Sequence, residues 1–359
     1  MADSSPTSAT PRATTRRAWF LAVFGVLAVV GFIAWSRANV PQPPADRLVF
    51  EGGTMGTTYR VVVRGVDPSR REKLGATIES ELEAVNASMS TYKDDSELSQ
   101  LNRSPVGEAF SVSPELEEVV ALAEQVSEAS DGAFDVTVGA LVDAWGFGPT
   151  RDESAPSDDE IARLRAQIGW RRVQRSPGTM TRTTELLRVD LSAIAKGYGV
   201  DRVAAALRAA GVEHFMVEVG GEIRTAGERQ ANEAWRIGIE EPHADPAKRS
   251  LHRVVQLDDA AMATSGDYRN YREVDGRRVS HTLDPRNGRP IEHRLASVSV
   301  IADQAALADA WATALNVLGP DAGLALAQRQ GLAVYMIIRE NNGFETRATP
   351  DFERHILPP

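Results

Sequence analysis

The sequence predicts an α+β fold, mixed α/β with partly antiparallel sheets, preceded by one N-terminal transmembrane or signal helix. Two observations carry this. Strand-like segments and segments of helical periodicity are interleaved without a regular βαβ period. An uncharged run, Trp19 to Trp35, stands apart from all of them, ahead of Pro41, Pro43 and Pro44. With 42% hydrophobic and 25% charged residues in the chain, the remaining residues 48–359 can build a sizeable core.

Taken in order, residues 1–18 are rich in Ser, Thr, Ala and Pro and are expected to form a disordered N-terminus on the cytoplasmic side. Arg16 and Arg17 precede the apolar run, which as a helix spans about 25 Å, slightly short of a hydrocarbon core. A Trp at each end suits the membrane interface, and the upstream arginines favour an inside N-terminus. Residues 19–35 are therefore an anchor or a cleaved signal. Ser36-Arg37-Ala38 resembles a small-residue cleavage site, and Thr15-Arg16-Arg17 faintly resembles a twin-arginine signal. Both readings place the globular part of the chain on the extracytoplasmic, periplasmic side of the inner membrane. Residues 36–47 read as a Pro-rich linker.

Thr57 to Arg64 has strand composition. Leu74, Ile78, Leu82, Val85 and Met89 step by three and four, which predicts an amphipathic helix. Ser113-Pro114 starts another as N-cap and first turn, with Leu116, Val119, Val120, Ala123 and Val126 inward. Ser157 and Glu160 form a capping box ahead of Ile161, Leu164 and Ile168. Val200, Val203 and Leu207 mark a helix that Gly211 can end. His214 to Val219, Trp235 to Ile239, Leu295 to Ile301 and Leu332 to Ile338 are strand-like, and a helix from Asp303 to Val317 separates the last two.

Much chemistry is excluded. A net charge of -10 argues against nucleic-acid binding. The absence of cysteine removes thiol nucleophiles, Cys-ligated metals, disulfides and a lipid-bearing Cys. There is no dinucleotide fingerprint, P-loop or nucleophile elbow, and the six histidines lack metal-ligand spacing.

What remains is a set of short segments, each open to two readings. Asp309 and Thr313, four apart on an alanine-rich helix, are either hard oxygen ligands for magnesium or a polar helix face. Val189 to Tyr198 runs from a strand into a helix through Lys196-Gly197, able to meet an anion or simply to connect. Gly132 to Gly139 and Trp145-Gly146-Phe147-Gly148-Pro149 admit a planar ligand or turn tightly around a core Trp. Val219-Gly220-Gly221-Glu222 is a strand ending in a flexible turn. His281, at the end of a short polar strand before the Asp284–Pro290 turn, is a general base or a structural residue.

Together these segments resemble the ApbE family of FAD:protein FMN transferases, in order, from roughly Phe50 to Ile338. The matching blocks are Gly53 to Tyr59; Met89 to Tyr92 with Asp95 to Ser99 and Asn102; Phe134 to Gly139; Trp145 to Pro149; Asp190 to Tyr198; Gly220 to Ile223; Ala263 to Tyr268; His281 to Pro285; and Ala308 to Leu315. The resemblance implies that FAD lies in an extended cleft as substrate, that magnesium sits on its pyrophosphate, and that FMN passes to a Thr hydroxyl with release of AMP. It implies FAD contacts from Met55, Ala133, Phe134, Asp135, Asp190, Lys196 and Leu283, stacking by Tyr92, magnesium ligation by Asp309, Thr313 and the Ala193 carbonyl, and His281 as base. It also implies acceptors among flavin-bearing subunits of membrane redox complexes or exported flavoproteins. Two features depart from it: many members carry Thr at Asn287, and many are lipoproteins, whereas this chain has only residues 19–35 for attachment. An FAD pyrophosphatase releasing FMN and AMP would use the same metal site, and a non-catalytic flavin-binding protein would need neither metal nor base.

Overall fold

Alternation of burial along the strands sets the layers. In Ala333–Glu340, Val334, Met336 and Ile338 join one hydrophobic cluster while Tyr335 and Ile337 join another, because successive side chains of a strand point to opposite faces. The computed structural model describes residues 47–149, 155–242, 250–266, 271–274, 277–341 and 343–358. The expected N-terminal tail, the apolar segment 19–35 and the linker as far as Asp46 lie outside the described residues. No helix among the described residues is long and apolar enough to cross a membrane.

The main sheet has eight strands: β1 (Arg47–Thr54), β2 (Thr57–Arg64), β3 (His214–Val219), β4 (Glu222–Ala226), β5 (Ala261–Gly266), β6 (Leu295–Ala302), β7 (Ala333–Glu340) and β8 (Gly343–Ala348). Their order across the sheet is their order in the chain, and every neighbouring pair is antiparallel. The partly antiparallel sheet expected from sequence is thus antiparallel throughout. Its long connections are excursions, and the helices come from them: α1 (Arg71–Met89), α2 (Pro114–Ala129), α3 (Ala195–Ala209) and α4 (Ala305–Gln330).

On one face, Leu74, Ile78 and Leu82 of α1 and Val200, Val203 and Leu207 of α3 pack on Val61, Val63, Phe215 and Val217. Beside them, α2 and α4 pack with Val298, Val300, Val334 and Met336. The opposite face is covered by the hairpin of Trp235–Glu240 and Leu251–Leu257, through Ile237, Ile239, Val255 and Leu257. The periodic residues of α1 are its buried ones, and Ser113 and Ser157 cap their helices as expected. The helix after Ser157 stops at Arg165, leaving buried Ile168 beyond its end.

Two expectations need correction. Val189-Asp190 is not a ladder strand; the one bridge there joins Arg188 to Val138. The Asn102 side chain takes both backbone groups of Val189, at 2.8 Å each, so a side chain satisfies what a neighbouring strand would have satisfied. The helix after Asp303 does not end at Val317. It breaks at Gly319, whose φ is 77°, and resumes at Pro320 to reach Gln330. Proline disfavours helical backbone in the residue before it, and glycine accepts the left-handed alternative.

Close contact between α3 and α4 positions the site. A Cβ at Gly197 would stand 2.2 Å from the Ala305 carbonyl oxygen, so only glycine lets the helices approach there. Asp201 of α3 accepts hydrogen bonds from the Ala305 and Ala306 N–H groups, at 3.0 and 2.9 Å, capping α4 from the neighbouring helix. Arg224 of β4 pairs with Asp201 and ties the sheet to both helices.

Candidate active site

The crossing of α3 and α4 brings Lys196 to Asp309. The Lys196 ammonium lies 3.3 and 3.4 Å from the two Asp309 oxygens and 2.8 Å from Glu222 Oε1. Asp309 and Glu222 are each only 3% exposed. Glu222 opens β4 directly after the Gly220-Gly221 turn, where φ is 62° and 107°. Burial works against the lysine's charge, but Asp309 and Glu222 together hold its pKa above the ordinary value. For Glu222, burial pushes the carboxyl above the usual range; Lys196 opposes the shift and Asp309 adds to it.

The same arrangement suits a hard cation. Gly197 N–H donates to Asp309 Oδ2 at 3.2 Å. It is one of the first-turn N–H groups that a helix leaves without an internal partner, and the Asp309 carboxylate satisfies it. The carbonyl of Ala193, a half-buried residue in the turn just before α3, accepts no backbone hydrogen bond among the described residues. Thr313, one turn after Asp309 and also half-buried, has its hydroxyl 3.3 Å from Ser265 Oγ of β5. Glu222 Oε2 is buried without a hydrogen-bond partner among the described residues. A carboxylate, a hydroxyl and a backbone carbonyl without a backbone partner fit the oxygen donor set of magnesium. No group of three or more His, Asp or Glu residues among the described residues could hold a metal.

A second cluster gathers around the Trp145–Gly148 turn. Trp145 Nε1 donates to the Gly288 carbonyl at 2.9 Å, which joins this turn to the one between Asp284 and Arg289. Arg272 Nη1 donates to the Trp145 carbonyl at 2.9 Å, and its guanidinium lies over the Phe147 ring. The His281 imidazole meets Phe147 edge-on, ring centres 6.4 Å apart. Tyr92, 68% exposed, places its hydroxyl 3.4 Å from the Phe147 carbonyl. Leu283 is buried with Trp145, Leu141 and Ile161. Asp284 accepts from the Arg286 Nε and Nη2 groups, both at 2.8 Å.

The remaining expected residues divide. Met55 sits in the β1–β2 turn with φ of 47°, its side chain against Gly199 of α3 and so toward the Lys196 end. Asp190 is half-buried and accepts from Ser192 N–H at 2.8 Å. Ala133 and Phe134 are buried, the Phe134 ring within the core, so this stretch offers a ligand backbone and Asp135 only. Asp135 accepts from Thr137 N–H, Thr137 Oγ1 and Trp170 N–H, at 2.8, 2.6 and 2.9 Å. Burial raises its pKa against those bonds. It lines a cleft of about 320 Å³ with Trp170, Arg171, Pro285 and Arg286. The expected Ala263–Tyr268 block is described only as far as Gly266.

Sequence reasoning assigned no role to Glu222, Asp201, Ser265 or Arg272. For Glu222 the signal was an acidic residue directly after two glycines, in a block already noted. The others are brought in by tertiary packing, which residue spacing does not carry.

The model of the ApbE family matches residues 55–336. A protein of Vibrio cholerae serotype O1 named FAD:protein FMN transferase is 41% identical over 339 residues, 94% of this chain and 98% of that protein. One of the same name from Escherichia coli K12 is 37% identical over 326 residues, 88% of this chain and 92% of its own. Among solved structures, the flavin transferase ApbE from Vibrio cholerae superposes with a TM-score of 0.80 at 41% identity, covering 87% of this chain and all of that one. The apo form of the Pseudomonas stutzeri flavinyl transferase ApbE gives 0.79 at 41% identity, covering 86% and 96%.

Proposed function

The chain belongs to the ApbE family and is an FAD:protein FMN transferase, and on that premise we propose that it passes FMN to a threonine hydroxyl of an acceptor protein with the help of magnesium. The observation that carries the metal is the buried Asp309 carboxylate, tied to the first turn of α3 by Gly197 N–H, with Thr313 one turn on and the Ala193 carbonyl free of backbone hydrogen bonds among the described residues. Magnesium held by Ala193, Asp309 and Thr313 would neutralise charge on the FAD pyrophosphate, the main need of a phosphoryl-type transfer. Lys196 offers a second positive charge to the phosphates from the same corner. Met55, the 133–135 backbone, Asp190 and Leu283 would hold the rest of FAD, and Tyr92 would stack on its ring system. His281 takes the proton of the acceptor hydroxyl as that oxygen bonds to the FMN phosphorus. The phosphorus–oxygen bond to the AMP half breaks, and AMP leaves with the bridging oxygen.

Incubation of a flavin-bearing acceptor with this protein, FAD and magnesium, read by intact-protein and peptide mass spectrometry, tests the reading. One FMN per acceptor on a threonine, with one AMP released and none formed in chelator, is the expected result. Free FMN and AMP without an adduct would replace the transferase by a pyrophosphatase, and unchanged FAD would replace it by a flavin-binding protein.

The place of action follows from Arg16-Arg17 and the apolar run Trp19–Trp35. We place the catalytic part on the extracytoplasmic side of the inner membrane, tethered or released, with acceptors among subunits of membrane redox complexes or exported flavoproteins. Deleting residues 1–45 is expected to move active protein from the export route into the cytoplasmic soluble fraction. A truncated chain that is still exported, or that no longer folds, would contradict this.

A further inference from the structure

The Lys196 corner holds two buried carboxylates for one ammonium. Burying a carboxylate costs several kcal/mol unless charge and hydrogen bonds offset it, and Glu222 keeps Oε2 without a partner among the described residues. Asp309 alone could neutralise the lysine, so charge balance does not require Glu222. The distances divide the lysine unequally, at 2.8 Å to Glu222 but 3.3 and 3.4 Å to Asp309. Only the first matches a full charge-assisted hydrogen bond, which runs to about 2.7–2.9 Å.

Resting on the reading of Asp309 as a cation ligand, we propose that Glu222 is a positioning residue that draws the Lys196 ammonium off Asp309 and so keeps that carboxylate open to a divalent cation. An ammonium bonded closely to Asp309 would occupy its lone pairs and cancel its charge. The flexible lysine stem permits that collapse whenever nothing opposes it. Glu222 is well anchored to oppose it. It is paired with Val219 across the Gly220-Gly221 turn, and a Cβ at Gly220 would lie 3.3 Å from Lys196 Cδ, so the turn runs along the lysine stem. The charge surplus that makes the corner expensive to bury is what leaves one carboxylate available.

The test is Mn2+ binding to the full-length protein in detergent without FAD, read by the paramagnetic resonance signal of free Mn2+. The wild-type protein is expected to bind and Asp309→Ala to bind at least about 10-fold more weakly; equal binding by the two would remove the cation reading itself and this proposal with it. Glu222→Gln keeps shape while losing charge, and is expected to weaken Mn2+ by about 10- to 100-fold. In a Lys196→Met background the same substitution is expected to change affinity by less than about 3-fold, since sites that act through one another are not additive. An equal loss in both backgrounds would mean that Glu222 attracts the cation by its own charge, and no loss in either would mean that it does nothing for the site; both overturn the proposal. Glu222→Asp, which keeps the charge on a shorter stem, is expected to fall between wild type and Glu222→Gln, and it carries the same comparison should Glu222→Gln fold poorly.

Discussion

Asp309→Ala is expected to lower FMN transfer by about 10³-fold or more, the several kcal/mol that cation stabilisation of a transferring phosphoryl group supplies. Three effects converge. The carboxylate is lost as a ligand. Gly197 N–H, now given to Asp309 at 3.2 Å, loses its acceptor, which loosens the tie between α4 and the first turn of α3 that carries Lys196. Lys196 keeps Glu222 at 2.8 Å, so the corner becomes a balanced pair with no surplus to draw a cation. That balance also limits the harm to the fold. Removing one partner of a buried ion pair is strongly destabilising when it strands a charge, and here neither Lys196 nor Glu222 is stranded. Circular dichroism should therefore give a melting temperature close to wild type beside the lost activity. Retention of a tenth or more of wild-type turnover, with the cation present, would remove Asp309 from the metal site. Asp309→Asn, which keeps the size but not the charge, should be nearly as inactive.

What the sequence could reveal of this corner was limited by the range of its signals. Helical spacing puts Asp309 and Thr313 on one face because both lie on α4, and the period of α1 predicts its five buried residues because burial follows one stripe. The pairing of Asp309 with Lys196 depends on two helices crossing at Gly197, and the capping of α4 depends on Asp201 of another helix. Neither leaves a local pattern. The sheet shows the same division. Strands β2 and β3 lie where composition predicts them, yet their neighbour relation across residues 65–213 belongs to topology. The extended reading of Val189-Asp190 failed as a strand because the Asn102 side chain completes its hydrogen bonds. The order of the family blocks bridged these gaps by naming Lys196, Asp309, Thr313 and His281 together, but it gave Glu222 no role.

His281→Ala is expected to slow acceptor flavinylation by about 10²- to 10⁴-fold, the range for loss of a general base, while FAD affinity changes little. The two halves of the expectation have separate structural reasons. FAD would be held by Met55, Asp190, Lys196 and the 133–135 backbone. None of these residues packs in the cluster where the His281 imidazole meets Phe147, and among the proposed FAD contacts only Tyr92 and Leu283 belong to it. An aliphatic hydroxyl is a weak nucleophile at neutral pH, and an imidazole titrates in the range where it can take the proton as the oxygen–phosphorus bond forms. The neighbouring alternative is already engaged. Asp284 accepts two side-chain bonds from Arg286 at 2.8 Å and a third from the Arg286 N–H at 2.9 Å. Its lone pairs are directed to that guanidinium rather than to an incoming hydroxyl, so it should not rescue the variant. Added imidazole should, by occupying the space the side chain vacates, and with a rate that rises as the neutral form of imidazole increases with pH. Loss of FAD binding, monitored by quenching of flavin fluorescence, would make His281 a residue that holds substrate. Normal flavinylation with intact FAD binding would move the base elsewhere.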